Sequence, residues 1–389
     1  MRFASTLSTP PEAAALIHNL RQQLEGRPAH LLVLFLSRLE LDAAQALADE
    51  VRAALAPEVM LACTAEGVIG AEAEVEQRPA VSALAAHLPG VTLAPFEVRA
   101  SQWPALLADA PALPHALGLP ADSQAVLLLA DPFSTPMEAV LEAFNTALPG
   151  VPLLGGCASG ASRPGYNLLI GPAHSLNGGA VGVALAGALT VEVVVSQGCR
   201  PVGAPFTVTA AEDNLIHSLE YQSPVEQIQT MYTTLPPEDQ RLLQNGLFIG
   251  RAVRAAAPGE TLGRGDFLVR GVLGVERQTG ALAVGDVIRT GETIQFQVRD
   301  AETAREDLEL LLVPHTFGEP PAGLLLFSCN GRGTRLFEEP DGDIRIVTNA
   351  LGVQPLAGFF CAGELGAVAG QNFLHSHTAS LALFSPGKP

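Results

Sequence analysis

Residues 125–160 read AVLLLADPFSTPMEAVLEAFNTALPGVPLLGGCASG, and this stretch decides the fold. Residues 125–130 form a continuous apolar run of strand length, as expected for a strand covered on both faces. Thr135-Pro136-Met137-Glu138 has capping-box spacing with proline at the first helical position. Met137, Val140, Leu141, Phe144 and Leu148 then fall on one helical face. Pro149 and Gly150 end the helix, residues 151–154 form a second strand, and the chain runs into Gly155-Gly156-Cys157-Ala158-Ser159-Gly160.

The same unit occurs twice more. Upstream, residues 31–36 are an apolar strand, and Asp42 and Gln45 have capping-box spacing. Leu47, Val51 and Leu55 make a helical stripe, and residues 59–62 lead into Cys63-Thr64-Ala65-Glu66-Gly67. Downstream, residues 323–328 are a strand, and Ile344, Val347 and Leu351 mark a helix. Residues 354–360 then lead into Cys361-Ala362-Gly363-Glu364. Three strand–helix–strand units ending in a small-residue turn with cysteine predict crossovers, hence partly parallel sheets covered by helices.

Around the units, Thr9-Pro10-Pro11-Glu12 is expected to open a helix carrying Leu16, Ile17, Leu20 and Leu24. Residues 181–186 and 189–195 read as paired strands, and residues 214–232 and 237–244 as helices. Residues 267–298 read as β-hairpins, with Ile294, Phe296 and Val298 alternating with Gln295 and Gln297. Asp300 is placed to cap a helix bearing Leu308, Leu311 and Leu312. The fold class is therefore α/β (α+β), with repeated units forming mixed sheets and a β-hairpin-rich insertion in the C-terminal half. The organisation expected is an N-terminal helix over 1–27, a domain with two repeats over 28–212, and a domain with the third repeat and the insertion over 213–385.

Composition narrows the chemistry. The 389 residues carry 22 basic and 40 acidic side chains, a net charge of 22 − 40 = −18, and 48% are hydrophobic. Disorder is excluded by the apolar content. Lysine occurs once, at Lys388, which removes a P-loop lysine and a Schiff-base lysine. The acidity argues against nucleic acid and against an anionic membrane surface. The five cysteines, Cys63, Cys157, Cys199, Cys329 and Cys361, form no Cys-x-x-Cys pair. With no apolar leader at the N-terminus, they fit reduced thiols in a cytoplasm. The apolar stretch 178–195 is interrupted by Glu192 and is too weak to span a bilayer. No cofactor is indicated. His375-Ser376-His377 would put two imidazoles on one strand face, but a stable metal site needs further ligands, and none is expected.

The candidate site lies at the turns, because ligands of α/β sheets bind where strands end and loops diverge. Cys63, Thr64 and Glu66, then Gly155, Gly156, Cys157 and Ser159, then Cys361 and Glu364 occupy the three cysteine turns. Small residues there admit a ligand to the backbone, and equally admit close packing of strand on helix. Ser328-Cys329-Asn330-Gly331-Arg332-Gly333 sets an amide and a guanidinium on a glycine turn, suited to a carboxylate, or to a turn whose arginine pairs with Glu338 or Glu339. Arg163 and Arg270 are further anion-binding candidates or salt-bridged arginines, and His375 stands at a pocket rim. Cys329 or Cys361 with His375 would be the groups of a Cys-dependent hydrolase or transferase. A protein-interaction adaptor using the acidic surface is the other alternative.

These landmarks resemble the FIST family, a sensory module of signal-transduction proteins. Its N-terminal part is similar to VMLACTAEGVIG at 59–70 and VPLLGGCASG at 151–160. Its C-terminal part is similar to DNLIHSL at 213–219, FLVRGV at 267–272, SCNGRG at 328–333 and residues 355–364 with the trailing 372–378. The resemblance covers roughly residues 28 to 380. It implies a stand-alone sensor that binds a small molecule, with amino acids or their derivatives as the ligand class, and a signalling protein as partner. In that reading Gly155, Gly156, Gly331 and Arg332 take a carboxylate, and Glu364 or Glu66 takes an amine.

Overall fold

A computed structural model describes residues 1–244, 246–254 and 262–387; Lys388 lies outside them. The three units fold as expected. The first is β1 (Leu31–Ser37), α1 (Leu41–Leu55) and β2 (Val59–Ala65). The second is β3 (Ser123–Ala130), α2 (Met137–Ala147) and β4 (Leu153–Cys157). The third is β5 (Gly323–Cys329), α3 (Gly342–Leu351) and β6 (Leu356–Cys361). Each helix carries the chain across its sheet, so the two strands of each unit pair in parallel.

Each parallel pair sits at the centre of a six-stranded sheet with one repeating plan. Beside the first strand lie two antiparallel strands: Ala80–His87 and Arg2–Ser8 in the first sheet, Ala180–Gly187 and Val91–Val98 in the second, Thr378–Pro386 and Leu189–Gln197 in the third. Beside the second strand lies a hairpin contributed by another unit. The hairpin Gly67–Gly70/Glu74–Glu76, which follows β2, joins β6. The hairpin Leu169–Ile170/Ser175–Leu176, which follows β4, joins β2. The hairpin Glu364–Val368/Gln371–His375, which follows β6, joins β4. The exchange is cyclic, so no unit completes its sheet alone. The repeat is accordingly longer than the strand–helix–strand core: each copy runs from an edge strand to the strand that returns beside it.

Alternation along the central strands explains why they read as unbroken apolar runs. Val33 and Phe35 of β1, Leu127 and Leu129 of β3, and Leu325 and Phe327 of β5 face one shared core. Within it Phe35 stacks on Phe359 at 4.7 Å, and Phe327 meets both edge-on at 6.2 and 5.9 Å. Their neighbours face outward under helices. Leu32, Leu34 and Leu36 pack with Leu16 and Leu20 of Ala13–Leu24 and with Ala44, Ala48 and Val51 of α1. Val126 and Leu128 pack with Val140 and Phe144 of α2. Leu324 and Leu326 pack with Ile344 and Val347 of α3.

The chain divides into two compact units. One comprises Met1–Ser196, Leu308–Leu374 and the chain from Thr378 onward, and holds all three repeats; the other comprises Gln197–Asp307 with His375–His377. The β-rich insertion thus falls between Leu189–Gln197, the first strand of the third repeat, and the rest of that repeat. It is an antiparallel ring in the order Thr293–Arg299, Phe206–Glu212, Leu215–Leu219, Leu282–Val284, Phe267–Val275, Phe248–Ala252. Thr293–Arg299 closes it by pairing with both Phe206–Glu212 and Phe248–Ala252. Val208, Ile216, Ile249, Leu282, Ile294 and Phe296 fill the middle. No helix of the described residues is long and apolar enough to cross a membrane.

Several local expectations are corrected. The helix expected over 214–232 begins only at Pro224, because Leu215–Leu219 is a strand. Glu212 pairs with Leu215 across Asp213-Asn214, a two-residue hairpin turn with Asp213 at φ 50°. Residues 181–186 and 189–195 lie on strands, yet these belong to different sheets. Thr9, Asp42 and Thr135 do not cap their helices: Ser8 Oγ accepts the Glu12 N–H, α1 begins at Leu41, and Thr135 donates to the Gly179 carbonyl. Asp300 does cap Ala301–Leu312, accepting the Glu302 N–H at 3.1 Å. Arg2–Ser8 is a strand ahead of the first helix.

Phe359 stands where the inner faces of the repeats meet, whereas Phe317 is 87% exposed. Phe359→Ala should therefore cost ~3–5 kcal/mol by urea unfolding, and Phe317→Ala within ~0.5 kcal/mol of nothing. Equal costs would contradict a shared central core.

Candidate functional site

The strand register brings the repeat turns to a common level. Cys63, Cys157 and Cys361 sit opposite Phe35, Ala130 and Cys329 in the three parallel pairs. Just past these positions lies a cleft of about 650 Å³. Arg38, Leu39 and Glu40 enter it after β1, Ala65 and Glu66 at the end of β2, and Phe133 after β3. Ser159, Gly160, Ala161 and Ser162 enter after β4, Asn330 after β5 and Ala362 after β6. The carboxyl ends of all six central strands therefore line one cleft, as the divergence of loops at strand ends predicts.

Hydrogen bonds between repeats hold the rim. The Ser159 hydroxyl accepts the Glu66 N–H at 2.9 Å and donates to the Phe360 carbonyl, joining three strand ends through one oxygen. Gly160 N–H donates to the Thr64 carbonyl, and the buried Thr64 hydroxyl accepts the Leu168 N–H. Asn330 N–H donates to the Cys361 carbonyl, and Cys157 and the Ala362–Gly363 turn exchange backbone bonds at 2.8 and 2.9 Å. Glu66 itself receives a two-pronged ion pair from Arg335, which raises the arginine's pKa.

The cysteines converge, but as packing. Cys361 lies within charge range of Cys63, Cys157 and Cys329. All four are buried and none lines the cleft. Burial pushes the Cys63 and Cys361 thiols well above their ordinary value and Cys157 up to about 12. A nucleophile needs the opposite shift. The glycines fit the same account. Gly155 has φ +121°, and a Cβ there would lie 2.0 Å from the Leu128 carbonyl oxygen; one on Gly156 would meet Cys361 Sγ. Both are committed to strand packing, and Gly331 N–H donates to Cys329 Sγ at 3.4 Å.

Arg332 is fully buried. Its guanidinium lies on Asp343 of α3, with Nη2–Oδ1 at 2.6 Å and Nε–Oδ2 at 2.9 Å, while Ser328 Oγ donates to Asp343 Oδ2 at 2.6 Å. The arginine expected to take a ligand carboxylate is thus held on an internal one. Glu74 accepts the Asp343 and Ile344 N–H groups from the start of α3, and burial pushes its carboxyl up to about 8. Glu364 is also fully buried and accepts both the hydroxyl and the N–H of Thr378. Burial pushes it up to about 8, against the pull of its bonds from Thr378 and Cys329 and of the Arg332 charge.

Other expected site residues lie elsewhere. Arg163 is exposed, its guanidinium 3.8 Å over the Tyr166 ring. Arg270 belongs to the second compact unit and donates to Asp286 at 2.8 Å. His375 is buried in that unit. His377 lies beyond the strand at φ 62°, with its ring 4.4 Å from Phe248, so the two imidazoles do not share a strand face. Among the described residues no group of His, Cys, Asp and Glu is arranged to hold a metal. Arg38, Leu39, Glu40, Phe133 and Arg335 were not anticipated. Arg38, Leu39, Glu40 and Phe133 follow the first strands of the repeats, where the strand-end rule applies as strongly as at the cysteine turns.

Residues 30–222 match the FIST N domain and residues 226–367 the FIST C domain. An uncharacterized protein of Mycobacterium tuberculosis (strain CDC 1551 / Oshkosh) is 41% identical over 397 residues, covering 99% of this chain and 100% of its own length. One of Mycobacterium bovis is 39% identical over 396 residues, 99% of each chain. Among solved structures, a cyanuric acid hydrolase from A. caulinodans is similar at a TM-score of 0.36 and 9% identity, over 99% of this chain and 100% of that one.

Two outcomes follow from the buried charges. Arg332→Ala strands Asp343 and should cost ~3–5 kcal/mol, while the double change Arg332→Met with Asp343→Leu should cost far less; a double variant as unstable as the single one would contradict this. Glu74 and Glu364 hold their protons in the folded chain up to about 8, against an ordinary 4.5. Their support of the fold is complete below that ordinary value and is lost as pH rises through about 8. Urea midpoints should fall between about pH 5 and about pH 8, and Glu364→Gln should flatten the fall; an unchanged slope in that variant would contradict it.

Proposed function

The chain belongs to the FIST family, whose domains are sensory, ligand-binding modules of signal transduction, and from that premise we propose that it binds a small polar molecule, an amino acid or derivative, in the strand-end cleft. One observation carries the reading: all six central strands send their carboxyl ends into that single cleft. Its volume suits a metabolite-sized ligand. Asn330, Ser159 and Ser162 supply amide and hydroxyl groups, and an ammonium group would meet the carboxylate of Glu40 and, beside its ion pair with Arg335, that of Glu66. Binding is favoured over thiol catalysis because the repeat cysteines lie beneath the cleft with their thiols held protonated.

A ligand in the cleft would touch turns from all three repeats. Since the sheets exchange hairpins, tightening the turns would stiffen the whole three-repeat unit, the kind of change a partner protein can read. We place this sensor in a cytoplasm, where its free thiols stay reduced.

Thermal unfolding against the twenty amino acids tests the reading. A ligand at a hundred times its Kd should add ~2.7 kcal/mol of stability. Glu66→Gln should weaken that gain without loss of the fold, since an ion pair this exposed contributes at most ~1 kcal/mol. No stabilisation by any amino acid would overturn the proposal.

A further inference from the structure

Resting on the cleft as the ligand site, we infer that Arg38 holds the ligand's anionic group and that the cleft selects small carboxylates. The register makes positions in the repeats equivalent. Phe35, Ala130 and Cys329 stand opposite the three turn cysteines. Three residues further on come Arg38, Phe133 and Arg332; three residues past the cysteines come Glu66, Gly160 and Glu364. Counted from the paired positions, the first and third repeats thus carry an arginine and a glutamate at the same offsets, but Glu364 opens its hairpin strand opposite Gly156 whereas Glu66 precedes the hairpin strand that starts at Gly67, and the two repeats use these residues differently.

In the third repeat both are buried. Arg332 reaches Asp343, the second residue of α3, because the eleven-residue separation lets the loop fold the arginine back over the helix start. In the first repeat the second residue of α1 is Asp42, but Arg38 is only four residues before it. Asp42 is exposed and forms no ion pair with Arg38. The glutamate at the matching offset, Glu66, is paired with Arg335 from the third repeat. Arg38 is therefore left lining the cleft with no hydrogen-bond or ion-pair partner among the described residues.

Four further features fit an anchor. Arg38 sits at φ 53°, in the left-handed region that a residue with a Cβ rarely adopts, a strain that persists where the site needs the side chain presented. A guanidinium presents parallel N–H groups that match a carboxylate. Phe133, its counterpart in the second repeat, is 43% exposed on the same cleft and offers an apolar wall. In a chain with net charge −18, an unpaired cation in a cleft is where an anion is drawn.

The test uses the full chain, calorimetric titration and two probe sets: the twenty amino acids and the carboxamide of each one that binds. Loss of at least about tenfold in affinity is expected on amidation, and the same loss in Arg38→Ala. Arg38→Lys should recover part of it, and the unliganded melting point of all variants should match the parent. A carboxamide that binds as well as its acid, or Arg38→Ala binding as well as the parent, overturns the inference while leaving the cleft as a ligand site. An absence of binding by every amino acid overturns both.

Discussion

The cyclic exchange of hairpins is the constraint on which the rest of the structure depends. Each six-stranded sheet is finished by a hairpin that follows another repeat's second strand, directly in the first and third repeats and after the loop 158–168 in the second. The chain must therefore turn out of β2, β4 and β6 at the same level, and this brings the three small-residue turns together. The shared core of Phe35, Phe327 and Phe359 fills the space between the sheets, and the cleft opens where the strands stop. Packing and site have one cause, because the turns that line the cleft are the departures that knit the repeats.

The three copies share a plan but differ in their charged residues. Lysine is all but absent, so cationic chemistry falls to arginine, and the repeats use theirs unequally. Arg332 is closed inside the third repeat on Asp343, Arg335 is drawn across to Glu66, and Arg38 remains at the cleft. The desolvation cost of a buried ion pair offsets much of its attraction, so this one is weak evidence of stability. Arg332 fixes the loop carrying Asn330 against the start of α3, and so sets one wall of the cleft without touching a ligand.

The repeats were legible because each leaves a local signature: an apolar strand, a helical stripe, then a turn with cysteine. Continuous apolar runs announced sheets covered on both sides, and Phe35 and Leu36 show why, one facing the shared core and the other a helix. Strand partners were not legible. Residues 181–186 and 189–195 alternate well enough to be strands, but partner choice depends on contacts far away in sequence. The site was legible as a place more than as a set of residues. Glu66, Ser159 and Asn330 line the cleft, while Arg332 and Glu364 are buried beneath it, because one arginine near glycines looks the same whether its carboxylate is a ligand's or Asp343's. Arg38 carries no motif; only the register, which needs the paired strands, marks it as the counterpart of Arg332.

Hydrogen exchange read by mass spectrometry, with and without a saturating mixture of the twenty amino acids, tests the convergence of the repeat turns on one ligand site most directly. The account predicts slowed exchange together in peptides covering residues 37–41, 65–67, 131–134, 159–163 and 330–335, from all three repeats. Slowing confined to residues 199–299, or to the turns of a single repeat, would contradict it.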